Sequence, residues 1–303
     1  MLRISRIVFF LFLLVLCAPF LVGEGRVECD VVNSRILNDT VHYCVLLPPG
    51  YDKSKIYPVL YFLHGLGDNE QALIHMAFVT NSSPQTKRDF LMVAPEGKRS
   101  FFINSTRNTV RYSDFFMQEF IPLIESKYHV RRDRGGRAIS GISMGGYGAL
   151  RFAFAYPAMF SAVSAMSPAL ITDSPVQINA ALHSGLPTEK VISQVFGDPI
   201  DLAHWRQNSP FLLARTNEAA LRRQAIYFNC GRDDNYGFQK GAEALHRQLL
   251  SQGIRHEYHL YPGDHSVNFF AAHLGEMLDF HSRAFAGTGT LTTAAGAGTR
   301  PAP

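Results

Sequence analysis

The sequence predicts an α/β protein: a mostly parallel, doubly wound sheet with helices on both faces and an antiparallel hairpin at its N-terminal end. Three observations carry this expectation. Apolar runs without polar alternation, such as Val59-Leu60-Tyr61-Phe62-Leu63 and Phe90-Leu91-Met92-Val93-Ala94, suit strands buried on both faces. Such runs alternate with longer stretches of helical periodicity, the pattern of a single α/β domain. Polar loops follow several of the runs, at the strand ends where open α/β sheets gather their ligand sites.

The elements follow in order. Residues 28–34 and 40–47 read as the arms of the hairpin, closed by Pro48-Pro49-Gly50. Strands at 59–63 and 90–94 come next. Phe115, Phe116, Phe120, Ile121, Leu123 and Ile124 recur at helical spacing and predict a helix over 114–128. A short strand at 137–140 leads into a glycine-rich turn and an apolar helix ending near Pro157. Strands at 160–166 and 225–230, a helix at 237–251, a strand at 255–261 and a helix at 267–285 complete the series. The domain is thus expected over 26–286. Residues 169–217 lack a clean strand and are expected to form an insertion over the active site. Residues 287–303, almost all Gly, Ala, Thr and Pro, read as a disordered tail.

The N-terminus reads as an address. Arg3 and Arg6 precede an apolar run from Ile7 to Val22, followed by Gly23-Glu24-Gly25, the pattern of a secretory signal peptide over 1–25. The run is shorter than the roughly 20 residues that span a bilayer, so membrane attachment is expected only if the segment stays uncleaved. The expected location is secreted or periplasmic. Beyond that segment three cysteines remain, Cys29, Cys44 and Cys230. Cys29 and Cys44 flank the hairpin symmetrically, about a midpoint between Ile36 and Leu37. A cross-strand bridge and two buried thiols both fit the spacing, because sequence does not fix connectivity. In an oxidising compartment the bridge is expected, with Cys230 left as a free buried thiol. Asn38, Asn81 and Asn104 head Asn-x-Ser/Thr sequons, which matter only in a eukaryotic secretory host.

Composition excludes several functions. Hydrophobic residues at 47% and charged residues at 18% are ordinary for a globular domain. The formal charge of +4 is small and dispersed, with Arg131-Arg132 and Arg222-Arg223 the densest spots, so no nucleic-acid partner is expected. There is no Cys-x-x-Cys, no H-E-x-x-H and no glycine-rich phosphate motif, so neither a metal nor a cofactor is expected. His256 and His259 lie three apart on a strand and should face opposite sides.

Chemistry concentrates at Gly141-Ile142-Ser143-Met144-Gly145, which fits G-x-S-x-G. That pattern needs a sharp strand-to-helix turn that lifts a serine hydroxyl above the sheet. A chain of this length carries it by accident about one time in ten, so context decides. Here a strand-like run precedes it and Gly146-Tyr147-Gly148-Ala149-Leu150 opens a helix after it. Serine needs a base oriented by a third group. Gly231-Arg232-Asp233-Asp234 and Gly263-Asp264-His265 each follow a strand, in the order serine, acid, histidine. His265 stands out among 12 histidines by loop position and chain order. Position alone does not choose between Asp233 and Asp234; Asp264 is disfavoured because adjacent loop side chains diverge. Oxyanion donors are expected at the backbone N–H of Met144 and, after the strand ending at Leu63, of Leu66 in His64-Gly65-Leu66-Gly67. His64 itself is expected to be structural.

Leu46-Leu47-Pro48-Pro49-Gly50-Tyr51, Leu63-His64-Gly65, Gly141 through Leu150 and Gly263-Asp264-His265-Ser266 together resemble the esterase D-like family of α/β-hydrolases. That family includes S-formylglutathione hydrolases, feruloyl and acetylxylan esterases, tributyrin esterases and mycobacterial mycolyltransferases. The resemblance spans about residues 27–285. It implies an α/β-hydrolase fold, a cofactor-free Ser143–Asp234–His265 mechanism and a carboxylic ester, free or carbohydrate-linked, as substrate. Pro95-Glu96-Gly97 through Ser100-Phe101-Phe102 is nearest the secreted tributyrin and feruloyl esterase branch. Gly263-Asp264-His265 stands where Gly-Gly-His is usual. The expected activity is hydrolysis of acetyl, short-chain or feruloyl esters. The alternatives are acyl transfer to a sugar or glycolipid, a thioesterase like S-formylglutathione hydrolase, and a non-catalytic binding module on the same fold.

Overall fold

A computed structural model describes residues 25–81, 88–172, 174, 178 and 187–287. Residues 1–24 of the expected signal segment and 288–303 of the expected tail lie outside these. The strands are β1 (Val27–Ser34), β2 (Asp39–Leu46), β3 (Val59–Leu63), β4 (Leu91–Pro95), β5 (Arg137–Ile142), β6 (Ala162–Met166), β7 (Ala225–Gly231) and β8 (Glu257–Tyr261). They form one sheet in the order β1-β2-β4-β3-β5-β6-β7-β8. β2 pairs antiparallel with both β1 and β4, and the strands from β4 to β8 run parallel. A mostly parallel sheet with an antiparallel N-terminal hairpin is thus the architecture, as the runs imply.

Every residue of β3, β4 and β6 is buried, which is why these strands lack polar alternation. Successive side chains go to opposite faces. Tyr61 and Leu63 join one core layer, while Leu60 and Phe62 join the other. Each large apolar side chain so buried contributes about 1.5–3 kcal/mol. Helices α1 (Ala72–Asn81) and α9 (Val267–Phe285) cover the Leu60–Phe62 face. The opposite face carries α2, formed by Tyr112–Phe115, a π-helical Phe116–Phe120 and Ile121–Lys127, with α3 (Met144–Ala155) and α8 (Phe238–Ser251).

The differences from expectation have local causes. Helix α1 has no counterpart in the sequence reading, because Ala72-Leu73-Ile74-His75-Met76-Ala77 is apolar nearly all round and shows no stripe. In α2 the helical periodicity conceals a π turn just before Pro122. Proline has no N–H to give the carbonyl four residues back and its ring crowds that carbonyl, so a widened turn there is relieved of both demands. β6 and β8 begin two residues inside their expected runs. Between β6 and β7 the described part of 169–217 contains α4 (Pro187–Phe196), α5 (Leu202–Asn208) and α6 (Pro210–Thr216), and α7 (Glu218–Leu221) follows it.

Cys29 and Cys44 are direct register partners in β1 and β2 and are joined by a disulfide, while Cys230 is a free buried thiol. Closing this 15-residue separation contributes about 3 kcal/mol in the chain-entropy picture. Among the described residues no helix is long and apolar enough to cross a membrane.

Candidate active site

The site is assembled on the rim formed by the C-terminal ends of the parallel strands. β5 ends at Ile142 and α3 begins at Met144, so the whole reversal falls on Ser143, at φ 56° and ψ −116°. A non-glycine residue rarely adopts positive φ, and here the surroundings hold it there. The Ser143 N–H donates to the Met166 carbonyl at 2.9 Å, and its carbonyl accepts from Tyr147 N at 3.0 Å and Ala169 N at 2.9 Å. The flanking glycines are steric necessities. A Cβ at Gly141 would overlap the Gly145 carbonyl, and one at Gly145 would overlap the Leu63 carbonyl. Ser143 is left half-buried rather than enclosed.

Two backbone donors flank that serine. The Met144 N–H opens α3, where the first N–H groups of a helix have no intrahelical acceptor. Gly65-Leu66-Gly67-Asp68 forms a tight turn closed by Asp68 N to Gly65 O at 3.2 Å, with Gly67 at φ 88°. The closing bond of such a turn leaves the N–H of its second residue, Leu66, unused. Gly65 packs directly on the Ser143 side chain, so a Cβ there would stand 3.6 Å from Ser143 Cβ. His64 anchors this turn from below. It is fully buried, donates from Nδ1 to Gly65 O at 2.8 Å and accepts from Gly97 N at Nε2 at 2.7 Å. Burial lowers its pKa, which keeps the ring neutral in that tautomer. That is the structural role expected of it.

Asp234 and His265 come together across the β7 and β8 loops. A Cβ at Gly231 would overlap the Gly263 carbonyl, and Asp233 N donates to that carbonyl at 2.9 Å, so the loops touch. His265 Nδ1 donates to Asp234 Oδ2 at 2.7 Å, with both side chains almost wholly buried. Asp234 Oδ1 accepts from Tyr236 N at 3.0 Å and Phe238 N at 3.3 Å, which fixes the carboxylate plane. The Cys230 thiol lies 3.6 Å from Oδ2, and burial pushes its pKa up to about 12, so it remains a thiol. Tyr236, Phe238 and Phe270 stand edge-on around the imidazole at 4.9, 5.5 and 5.2 Å between centroids. With Nδ1 donating to the acid, Nε2 presents a lone pair. Asp233 and Asp264 are both exposed, and of the three aspartates Asp234 is the one bonded to His265.

The rest of the histidine chemistry lies elsewhere. His256 accepts from His246 at 2.7 Å and stacks on Phe228, whereas His259 packs against Tyr227 and Tyr261, on the other side of the strand. Among the described residues no group of three His, Cys, Asp or Glu converges as a metal site would. A serine–histidine contact that the sequence reading missed sits in mid-sheet. Ser164 Oγ lies 2.8 Å from His281 Nε2 and 2.7 Å from Ser140 Oγ, all fully buried. Serines inside otherwise apolar strands were its one visible signal.

A doubly wound sheet with a strained serine between strand and helix, and a histidine–aspartate pair on the neighbouring loops, defines an α/β-hydrolase. The profile of the family described as "Putative esterase" matches residues 34–281, and the chain belongs to that family. It is therefore an esterase of the α/β-hydrolase type. The chain is 26% identical over 224 residues to an acetyl esterase of Caldicellulosiruptor saccharolyticus, covering 74% of this chain and 83% of that one. It is 28% identical over 237 residues to an esterase of Mycobacterium tuberculosis, covering 73% of this chain and 51% of that one. Among solved structures it is similar to a ferulic acid esterase, with a TM-score of 0.71 and 26% identity over 87% of this chain and 99% of the other.

Proposed function

We propose that the protein is an exported serine carboxylesterase working through an acyl-Ser143 intermediate. The observation that carries this reading is the His265 Nδ1 to Asp234 Oδ2 hydrogen bond of 2.7 Å, which leaves Nε2 as the acceptor for a serine proton. Ser143 Oγ attacks the ester carbonyl carbon as His265 takes its proton. The carbonyl oxygen becomes an oxyanion held by the N–H groups of Leu66 and Met144, donors set by the backbone before the reaction starts. Collapse expels the alcohol, protonated by the imidazolium, whose charge Asp234 stabilises. Water then repeats the cycle on the acyl-serine and releases the acid. Export through residues 1–25 is supported by the Cys29–Cys44 disulfide, since such bonds persist in oxidising compartments. Carbohydrate-linked esters are the proposed natural substrates, in keeping with acetyl and ferulic acid esterases as relatives.

The test is covalent labelling with a fluorophosphonate, followed by peptide mapping and assay on p-nitrophenyl acetate. One label on Ser143 with loss of hydrolysis is expected. A label on another residue, or hydrolysis that survives full labelling, overturns the reading. Product analysis with a sugar acceptor present separates hydrolysis from acyl transfer, and intact mass of exported protein gives its N-terminus.

A further inference from the structure

We infer that the cavity between the first turns of α1 and α9 holds the acyl chain of the substrate, and that it selects straight-chain acyl groups of up to about six carbons. This rests on the reading of Ser143, His265 and the two backbone donors as an esterase site.

The cavity has a volume of about 160 Å³ and lies at the C-terminal ends of β3, β5 and β6. Its floor is Phe62, Ile142 and Met166, the last residues or nearly so of β3, β5 and β6, and Ile142 directly precedes Ser143. One wall begins at Asp68, the closing residue of the turn that carries the Leu66 N–H. The other is Phe270, whose ring stands 5.2 Å from that of His265. At the mouth Val267 is 79% exposed, an apolar side chain in water two residues from His265. The segments that follow β3, β5 and β8 therefore meet at one mostly apolar hollow.

Its chemistry chooses the acyl side of the ester. A sugar hydroxyl placed on the floor of Phe62, Ile142 and Met166 would lose its water without gaining a partner there, since the polar lining, Asp68 and His75, is exposed to solvent. The acyl chain stays bound through both steps, whereas the alcohol must leave and be replaced by water, which favours an open route on its side. Size sets the limit. At roughly 30 Å³ per water-sized or methylene-sized group, the cavity takes about five such groups beyond the carbonyl. A feruloyl group, with its ring, methoxy and hydroxyl substituents, exceeds that volume and would bury polar oxygens against hydrocarbon.

The experiment measures kcat/KM of the full chain on p-nitrophenyl esters from acetyl to decanoyl and on methyl ferulate. A parallel series keeps the acetyl group and varies the alcohol. Both series are repeated with Ala271→Phe, an exposed rim position on α9 whose new ring closes the mouth. Each added methylene should raise wild-type kcat/KM about fourfold up to roughly pentanoyl or hexanoyl, from about 0.8 kcal/mol per buried methylene. Activity should then fall for decanoyl and methyl ferulate. Ala271→Phe should abolish the climb, lowering kcat/KM on hexanoyl far more than on acetyl. A climb that follows the alcohol, an unchanged profile in Ala271→Phe, or ferulate preferred over butanoyl overturns the inference. Acetyl turnover without any length dependence removes the pocket assignment alone. Failure to cleave every ester removes the esterase reading and the inference with it.

Discussion

The molecule holds a serine–histidine contact in mid-sheet and, on the rim, a serine with a histidine–aspartate pair on neighbouring loops, and the proposed function uses only the second. On the rim, Ser143 sits half-buried at a strained φ beside two unused backbone donors, and His265 is bonded to Asp234. In mid-sheet, Ser140, Ser164 and His281 form a fully buried chain at 2.7 and 2.8 Å. His281 has no acid: its Nδ1 has no partner among the described residues, and burial pushes its pKa down to about 3. The short contact between hydroxyl and imidazole is the mid-sheet one, at 2.8 Å. What separates the two is a carboxylate to stabilise an imidazolium, donors for an oxyanion and a path for substrate. A short serine–histidine distance is a packing solution until those three accompany it.

The largest effect should come from exchanging the two serines in parallel. Ser143→Ala should cost on the order of 10⁶ in kcat, the scale seen when a serine nucleophile is removed. Ser164→Ala should leave kcat within about threefold. Steady-state assay of both, with circular dichroism to confirm folding, checks this, and retention of a tenth of activity in Ser143→Ala breaks the comparison. Next in size is the acid. Asp234→Asn should lower kcat by about 10⁴, because the amide preserves shape but favours the wrong imidazole tautomer. Asp233→Asn, on an exposed side chain, should be nearly silent, and a larger loss there than at Asp234 would assign the acid wrongly.

The smallest effect is one of stability and belongs to the mid-sheet chain. Since the folded-state pKa of His281 is depressed to about 3 from an ordinary 6.5, only the unfolded chain gains its proton between those values. Its neutral-state stability is therefore complete above about pH 6.5 and is lost as pH falls, by about 1.4 kcal/mol per unit at most. His281→Leu removes that term, at a cost near neutrality of about 1–3 kcal/mol for the lost bond. Melting temperatures of both proteins from pH 8 to 4 should converge as the solution becomes acid, with esterase kcat at pH 8 unchanged. Parallel melting curves would show that His281 is not what the acid attacks.

Much of this organisation is legible in the sequence. Buried parallel strands such as β3 and β4 announce themselves as unbroken apolar runs, and the Leu66 turn follows β3. The glycines at 141 and 145 could be read as a reversal because their steric demand is local. The choice of Asp234 over Asp233 could not, since it depends on which carboxylate meets the N–H groups of Tyr236 and Phe238 and the ring from another loop. The mid-sheet chain was hidden for a related reason. Ser140, Ser164 and His281 come from two strands and a helix, and nothing in their local spacing records that they converge. Helix α1, apolar nearly all round, carries no periodic mark, and with it one wall of the acyl cavity stays out of view.

The hairpin at the far end of the sheet has a consequence for the protein's life in solution. β1 is an edge strand, and its outward N–H and C=O groups are a template on which another chain could add. Because Cys29 and Cys44 are direct partners, their bond fixes the alignment of β1 on β2 and prevents slippage by which apolar side chains would turn outward. Glu28 and Asp30 place charge along the same strand, held by Arg26 and Lys127. Reduction leaves the catalytic rim untouched but loosens this guard. A reducing environment should therefore show itself first as clumping at high concentration, while the soluble fraction keeps its full specific activity.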